Sequence, residues 1–319
     1  MLKRHLFPIG LFASLIGVAT SGAAHDLKGL LVQEPKSASP QIASALAATP
    51  SSDLATRSVI NNLRLWPVPR KLTVCFLSGS PQLRKRVSAA MLKAWPLGNL
   101  TGGRLEFDSA SFATVPTCSA NPTADIRIDF KPNDGYWSYV GVESLNNVPS
   151  MNLAGFTETS PAQKEFERLV GHETGHAIGL EHEHQSPDAP DCGWNFPYIF
   201  SHYQWASEQD MHNNFDKLHD YIYQNVHAYI FSTYDQKSEM HYDFEPEAFT
   251  NGSNSPCFIT RNYVPSDQDK NAIRVAYGPS LVTEQAAVRS AAPELQNSFS
   301  GAHYDKLRQL LELKSTLLK

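Results

Sequence analysis

Residues 172–182 read His-Glu-Thr-Gly-His-Ala-Ile-Gly-Leu-Glu-His. Three imidazoles and one carboxylate at that spacing can build a catalytic metal site. On a helix His172 and His176 stand four residues apart and share a face, so both rings can reach one ion. Glu173, beside the first of them, can hold a water at that ion and accept its proton. Gly179 can turn the chain sharply, because glycine reaches positive φ without a Cβ penalty. The turn would bring His182 back as a third ligand instead of carrying it further along the helix. Three nitrogen ligands leave one coordination position for water, the mark of a catalytic rather than a structural zinc site. The bland alternative is a helix with surface histidines and a C-terminal glycine cap. The added glycine and third histidine make that alternative far less frequent than for a bare His-Glu-x-x-His.

A second pattern lies downstream, Tyr234-Asp235-Gln236-Lys237-Ser238-Glu239-Met240-His241-Tyr242. It looks like the methionine-containing turn that lies beneath the zinc in metzincins. Glutamate follows the third histidine, at Glu183, where matrixins usually have serine and serralysins proline. With Ser-x-Met-His-Tyr at 238–242, the chain resembles the astacin-type metallopeptidases. Trp137-Ser138-Tyr139-Val140-Gly141 and His182-Glu183-His184-Gln185-Ser186-Pro187 resemble their microbial, stand-alone branch. The likeness runs from about Arg64 to Gly278.

The resemblance implies an α+β, metzincin-type zincin: a mixed twisted sheet, two main helices and a C-terminal subdomain, split by the zinc-site cleft. It implies one Zn2+ per chain on His172, His176 and His182, with Glu173 and Tyr242 as the catalytic residues. Tyr242 would donate a hydrogen bond to the oxyanion and could ligate the metal when no substrate is bound. Met240 would pack under the metal without binding it. Glu183 matches a glutamate that pairs with the mature N-terminus or its surroundings. The strand around Trp137-Ser138-Tyr139 matches an edge strand that holds substrate by strand addition.

The elements that must position these groups are legible in part. Leu72, Val74 and Phe76 alternate with Thr73 and Cys75 as in a half-buried strand. Ser80-Pro81 reads as the cap and first turn of a helix with Leu83, Val87, Met91, Ala94 and Trp95 at helical spacing. Strands are expected at Leu105–Phe107, at Ile126–Phe130, over 136–142 beside a glycine turn, and at Met151–Leu153. Ser160-Pro161-Ala162-Gln163 reads as a capping box opening the helix that carries His172. Phe166, Leu169, Val170 and Ala177 would give that helix its buried face. The order before Gly179 is strands, a helix, more strands, then the metal-binding helix, which fits a mixed sheet backed by two helices. After Gly179 the chain is rich in aromatics, among them Tyr203, Trp205, Tyr221, Tyr223, Tyr229 and Tyr234, which fill a small lower subdomain or line a cleft. His202, His212, His219 and His227 read as surface or packing residues. Ser266-Asp267-Gln268-Asp269 caps a last helix with Ile273, Ala276 and Tyr277 on one face.

The chain has 319 residues, 41% hydrophobic and 18% charged, with a net charge of −5. This is a globular composition, and the charge gives no reason to expect nucleic acid or an anionic membrane as partner. Lys3, Arg4 and His5, an apolar run from Leu6 to Ala19, and small residues at Ser21–Ala24 read as a secretory signal over 1–24. No later segment is long and apolar enough to cross a membrane. Residues 25–57, rich in Ala, Ser and Pro, read as a linker or propeptide. Residues 58–278 form the catalytic domain, and 279–319 a tail whose 303–318 stretch is an amphipathic helix. Four cysteines follow the signal. An even number in an exported chain reads as two disulfides. Of three pairings, Cys75–Cys118 with Cys192–Cys257 keeps each pair on one side of the metal-binding helix.

Two functions fit. The first is a secreted (extracellular or periplasmic) zinc endopeptidase acting on extended polypeptide. The second is a non-catalytic secreted zinc-binding module on the same scaffold. Glu173 discriminates between them, since a retired site is expected to lose its base before its ligands.

Overall fold

The structure is a computed structural model and describes residues 59–61, 64–216, 218, 229–230 and 233–278. The expected signal, linker, amphipathic tail and the side chains of Tyr221, Tyr223, Tyr229, His219 and His227 lie outside the described residues.

The strands are short. They are β1 (Ile60–Asn61), β2 (Arg70–Leu72), β3 (Val74–Phe76), β4 (Leu105–Phe107), β5 (Ile126–Asp129), β6 (Tyr136–Ser138), β7 (Met151–Leu153) and β8 (Tyr229–Ile230). The main sheet has the order β3-β5-β7-β6. β3, β5 and β7 run parallel, and β6 pairs antiparallel with β7 in the register Tyr136 to Leu153 and Ser138 to Met151. That leaves β6 at an edge, and the sheet is mixed as expected. β2 pairs parallel with β4, and β1 antiparallel with β8. The break between β2 and β3 falls at Thr73, whose N–H and hydroxyl both donate to the Asp125 carboxylate, at 2.9 and 3.1 Å.

Seven α-helices are described: α1 (Pro81–Ala94), α2 (Leu97–Thr101), α3 (Ser109–Thr114), α4 (Gln163–Ala177), α5 (Phe196–His202), α6 (Glu208–Phe215) and α7 (Asp267–Tyr277). α1 and α4 are the two long ones and pack together. None of the described helices is long and apolar enough to cross a membrane. Ser80 caps α1 by accepting the Leu83 N–H at 3.2 Å, with proline in the first turn. Ser266 and Asp269 form a reciprocal capping box on α7. Substituting such a cap by alanine typically costs about 1 kcal/mol.

Three expectations need correction, the first being the half-buried strand over Leu72–Phe76, which is split at Thr73 between two sheets and has both faces of β3 buried. The helix carrying His172 has Ala162, not Ser160, at its N-cap, and no side chain caps it. The Ser160 carbonyl instead accepts the Thr157 N–H, closing a turn ahead of the helix. Arg86 of α1 takes over the local carbonyls, donating to Thr157 O, Glu158 O and Pro161 O, while its guanidinium lies 3.7 Å over the Phe166 ring. The strand expected over 136–142 stops at Ser138, and a 3-10 turn follows over Gly141–Asn146. Gly141 has φ +51°, and a Cβ there would lie 1.8 Å from the Arg64 carbonyl oxygen, so the chain bends away from the sheet at that contact.

Two apolar clusters result. The larger gathers Trp66, Phe76, Trp95, Phe166 and Tyr277 between the main sheet and helices α1, α4 and α7. The smaller gathers Ile199, Phe215, Phe244 and Phe249, with Trp194, Tyr203, Trp205 and Tyr234 packed against it. It is the lower subdomain, and it is rich in aromatics as the sequence suggested. The disulfides are Cys75–Cys118 and Cys192–Cys257, as expected. The second staples the lower cluster. Closing a loop of this size contributes roughly 2–4 kcal/mol.

Candidate metal centre

α4 is held as a rigid rod by donors from three other elements. The Trp95 indole donates to Gly171 O at 2.8 Å, the Trp66 indole to Ala177 O at 2.7 Å, and the Tyr277 hydroxyl to Ile178 O at 2.7 Å. The last two satisfy carbonyls that a helix end leaves without intrahelical partners. Gly179 then takes φ +108°. Its N–H returns to His176 O at 2.8 Å and the Leu180 N–H to Gly175 O at 3.0 Å, a Schellman closure. A Cβ on Gly179 would lie 2.9 Å from Leu65 Cδ2, so the position is fixed by space as well as by dihedral.

The turn returns His182 to His172 and His176. One ligand atom from each lies within 4.8 Å of the others, and all three residues are buried. Each ring is oriented through its second nitrogen. His172 Nδ1 lies 2.8 Å from Glu239 O, His176 Nδ1 2.8 Å from Leu180 O, and His182 Nδ1 3.4 Å from Gln185 Oε1. The first two partners are carbonyls, which only accept, so those Nδ1 atoms carry the proton. Gln185 Nε2 donates to Asn213 O and Asp216 O, which turns its oxygen toward His182. The three Nε2 atoms are therefore lone pairs.

The Nε2 atoms of His176 and His182 stand 3.1 Å apart. Two acceptors facing each other at that distance in a buried site repel, and a shared cation between them removes the conflict. Burial also lowers the pKa of His176 to about 4 and that of His182 well below its usual value, with neighbouring histidines adding to the second effect. Neutral imidazole is the form that binds metal. The donor set fits a zinc ion.

Glu173 sits in the same buried helix segment. Its Oε2 is buried without a hydrogen-bonding partner in the protein. Burial pushes its carboxyl up to about 8, opposed by the Arg168 charge. Tyr242 lies beside the histidines, its ring centroid 4.3 Å from that of His182 and 5.4 Å from that of His172. Burial, and then the Glu173 charge, raise its pKa well above the usual phenol. The hydroxyl is thus a neutral donor.

Met240 meets the helix at Gly175. A Cβ on Gly175 would lie 2.5 Å from Met240 Sδ, so the glycine between the two ligands leaves room for the thioether against α4. The carboxylate of Glu183 accepts the Asp235 N–H at 2.9 Å and also a hydrogen bond from the Val59 backbone. His202 and His212 are partly exposed and pair with Glu245 and Asp216. Gln185, Asp269 and the carbonyls of Leu180 and Glu239 were missed as supports. Backbone acceptors leave no trace in a sequence, and the run His182–Pro187 does not mark which of its side chains faces an imidazole.

The model of the Astacin peptidase family matches residues 111–273, just over half the chain. The chain belongs to the astacin family. Over 112 residues this astacin is 36% identical to zinc metalloproteinase nas-12 of Caenorhabditis elegans. That match covers 35% of this chain and only 24% of the relative, so the chain spans about a quarter of that protein's length. A solved structure of myroilysin is similar over 69% of this astacin and 98% of its own chain, with 28% identity and a TM-score of 0.55. These likenesses agree with the α+β metzincin architecture, and the astacin family is one of zinc-dependent peptidases.

Proposed function

We propose that this chain is a secreted zinc endopeptidase that hydrolyses peptide bonds of extended polypeptides. The observation that carries the reading is the convergence of one ring nitrogen from each of three buried histidines to within 4.8 Å, beside the buried Glu173 carboxyl, with an acceptor on the Nδ1 of each ring. His172, His176 and His182 would hold one zinc ion per chain. The ion, when bound, would supply Lewis acidity that acidifies water and polarises a substrate carbonyl.

Glu173 is the general base. It takes one proton from the attacking water as the new C–O bond forms at the peptide carbonyl. It then delivers that proton to the leaving nitrogen as the C–N bond breaks. The neutral Tyr242 hydroxyl donates a hydrogen bond to the oxygen that gains negative charge during the attack. β6, at the edge of the main sheet, offers backbone groups for an extended chain to pair with. Trp137 and Tyr139, packed edge-to-face at 5.7 Å, stiffen that rim.

Residues 1–24 are assigned as a signal, 25–57 as linker or propeptide, 58–278 as the catalytic domain and 279–319 as a tail. The two disulfides support export, since such bonds persist in oxidising compartments. The retained Glu173 argues against a non-catalytic zinc-binding module. Incubating the purified protein with a peptide library tests the reading: cleavage should occur, stop on adding a zinc chelator, and return on adding zinc. A library left intact by the zinc-loaded protein would defeat it.

A further inference from the structure

We propose that Asp269, on the first turn of α7, is a positioning residue for the metal centre, acting through the methionine turn. The inference rests on the zinc reading of the three histidines. Asp269 is fully buried and lies far along the chain from His172. Its Oδ1 accepts the Ser238 hydroxyl at 2.7 Å. Its Oδ2 accepts the Glu239 N–H and the Ser266 N–H, both at 2.9 Å. The Ser266 bond is half of the capping box of α7. The other two bonds are not needed to start a helix, and they hold the chain of residues 238–239 from below.

The same turn carries two acceptors that face the metal centre. The Glu239 carbonyl accepts from His172 Nδ1 at 2.8 Å. The Met240 carbonyl accepts from the Glu183 N–H at 3.0 Å, and Glu183 follows His182 directly. The Ser238 hydroxyl joins the two sides, since it donates to Asp269 and accepts the Met240 N–H at 3.0 Å. One carboxylate thus fixes a turn whose consecutive carbonyls orient the first ligand and the backbone beside the third. Outer partners of ligating histidines typically set metal affinity by tenfold or more when lost.

The contacts named here run from Asp269 to Ser238, Glu239 and Ser266, so through them the effect of losing the carboxylate reaches His172 by way of the turn. Asp269→Ala removes these three acceptor contacts and frees residues 238–239 to shift. Ser238→Ala removes the hydroxyl link but leaves the capping box intact. Arg274→Gly, on the exposed face of α7, weakens that helix by about 1 kcal/mol without touching the turn.

The test is zinc release from each protein to a chromophoric chelator, with folding checked by circular dichroism and thermal melting. Asp269→Ala should raise the zinc dissociation constant about tenfold, and Ser238→Ala should raise it by less. Arg274→Gly should lower the melting temperature while holding zinc like the parent. If Asp269→Ala does not fold, Ser238→Ala decides the matter, and parent-like zinc affinity in it overturns the proposal. So does parent-like affinity in a folded Asp269→Ala, or equal loss in Arg274→Gly, which would make the effect one of general stability. A parent protein that took up no zinc would overturn the metal assignment itself.

Discussion

The sulfur of Met240 lies 2.5 Å from where a Cβ on Gly175 would stand. Gly175 sits between the two helical histidines, so a side chain there would displace the Met240 thioether, with the Trp95 ring close by at 3.3 Å. Gly175→Ala should push the thioether aside and, because Met240 is fully buried, strain the turn that carries it. Overpacking a dense core typically costs about 1–3 kcal/mol, less the gain in helix propensity. Because Glu239 O and Met240 O move with the turn, zinc affinity should fall as well. A variant as stable as the parent, with the parent's zinc affinity, would show that the turn has room the structure does not reveal.

The orientation of His182 depends on a side chain, whereas its two companions lean on carbonyls. Gln185 Oε1 is the acceptor, and Asn213 O and Asp216 O hold the amide in place. Gln185→Leu keeps the bulk and removes the acceptor. Zinc should bind roughly ten- to a hundredfold more weakly, the usual loss for an outer partner of a ligating histidine. Competition with a chelator of known affinity measures it. Unchanged affinity would mean that the Gly179 turn alone aims His182.

Tyr242→Phe should lower the turnover rate more than it weakens substrate binding. In the proposed mechanism the phenol would donate to an oxygen that is negative only near the transition state, and such a donor is typically worth on the order of 3 kcal/mol, roughly a hundredfold in rate. The Michaelis constant should move far less, because the ground-state carbonyl is not yet an oxyanion. Steady-state kinetics on one peptide separate the cases. A raised Michaelis constant with unchanged turnover would make Tyr242 a substrate contact, and no change in either would leave it a packing residue between His182 and Phe244.

Much of the site could be read before the fold was known, for a physical reason. Helical periodicity puts His172 and His176 on one face, and a glycine is needed to bring back His182; both are local facts of sequence. The caps at Ser80 and Ser266 are local in the same sense, whereas the alternation that marks β3 and β5 as strands misleads about burial, since Cys75 and Arg127 on their second face are buried too. Ser160 misled, because a Ser-Pro pair is a fair helix start until tertiary contacts decide otherwise. Here Arg86 of the packed α1 takes the carbonyls ahead of α4, and the helix begins two residues later. The 3-10 turn after β6 was hidden because its cause is the approach of the Arg64 backbone, distant in sequence. The supports of the histidines stayed hidden too: a carbonyl belongs to every residue, and Asp269 reads as a helix cap and nothing more.

The central claim is that Glu173 moves the proton at a metal site built by the three histidines. The measurement that tests it most directly pairs zinc analysis with peptide cleavage in the parent and in Glu173→Gln. The amide is close in size but cannot accept a proton. The account predicts equal zinc, one ion per chain in both proteins, with cleavage nearly abolished in the variant. A Glu173→Gln protein that holds its zinc and cleaves at the parent rate would contradict it.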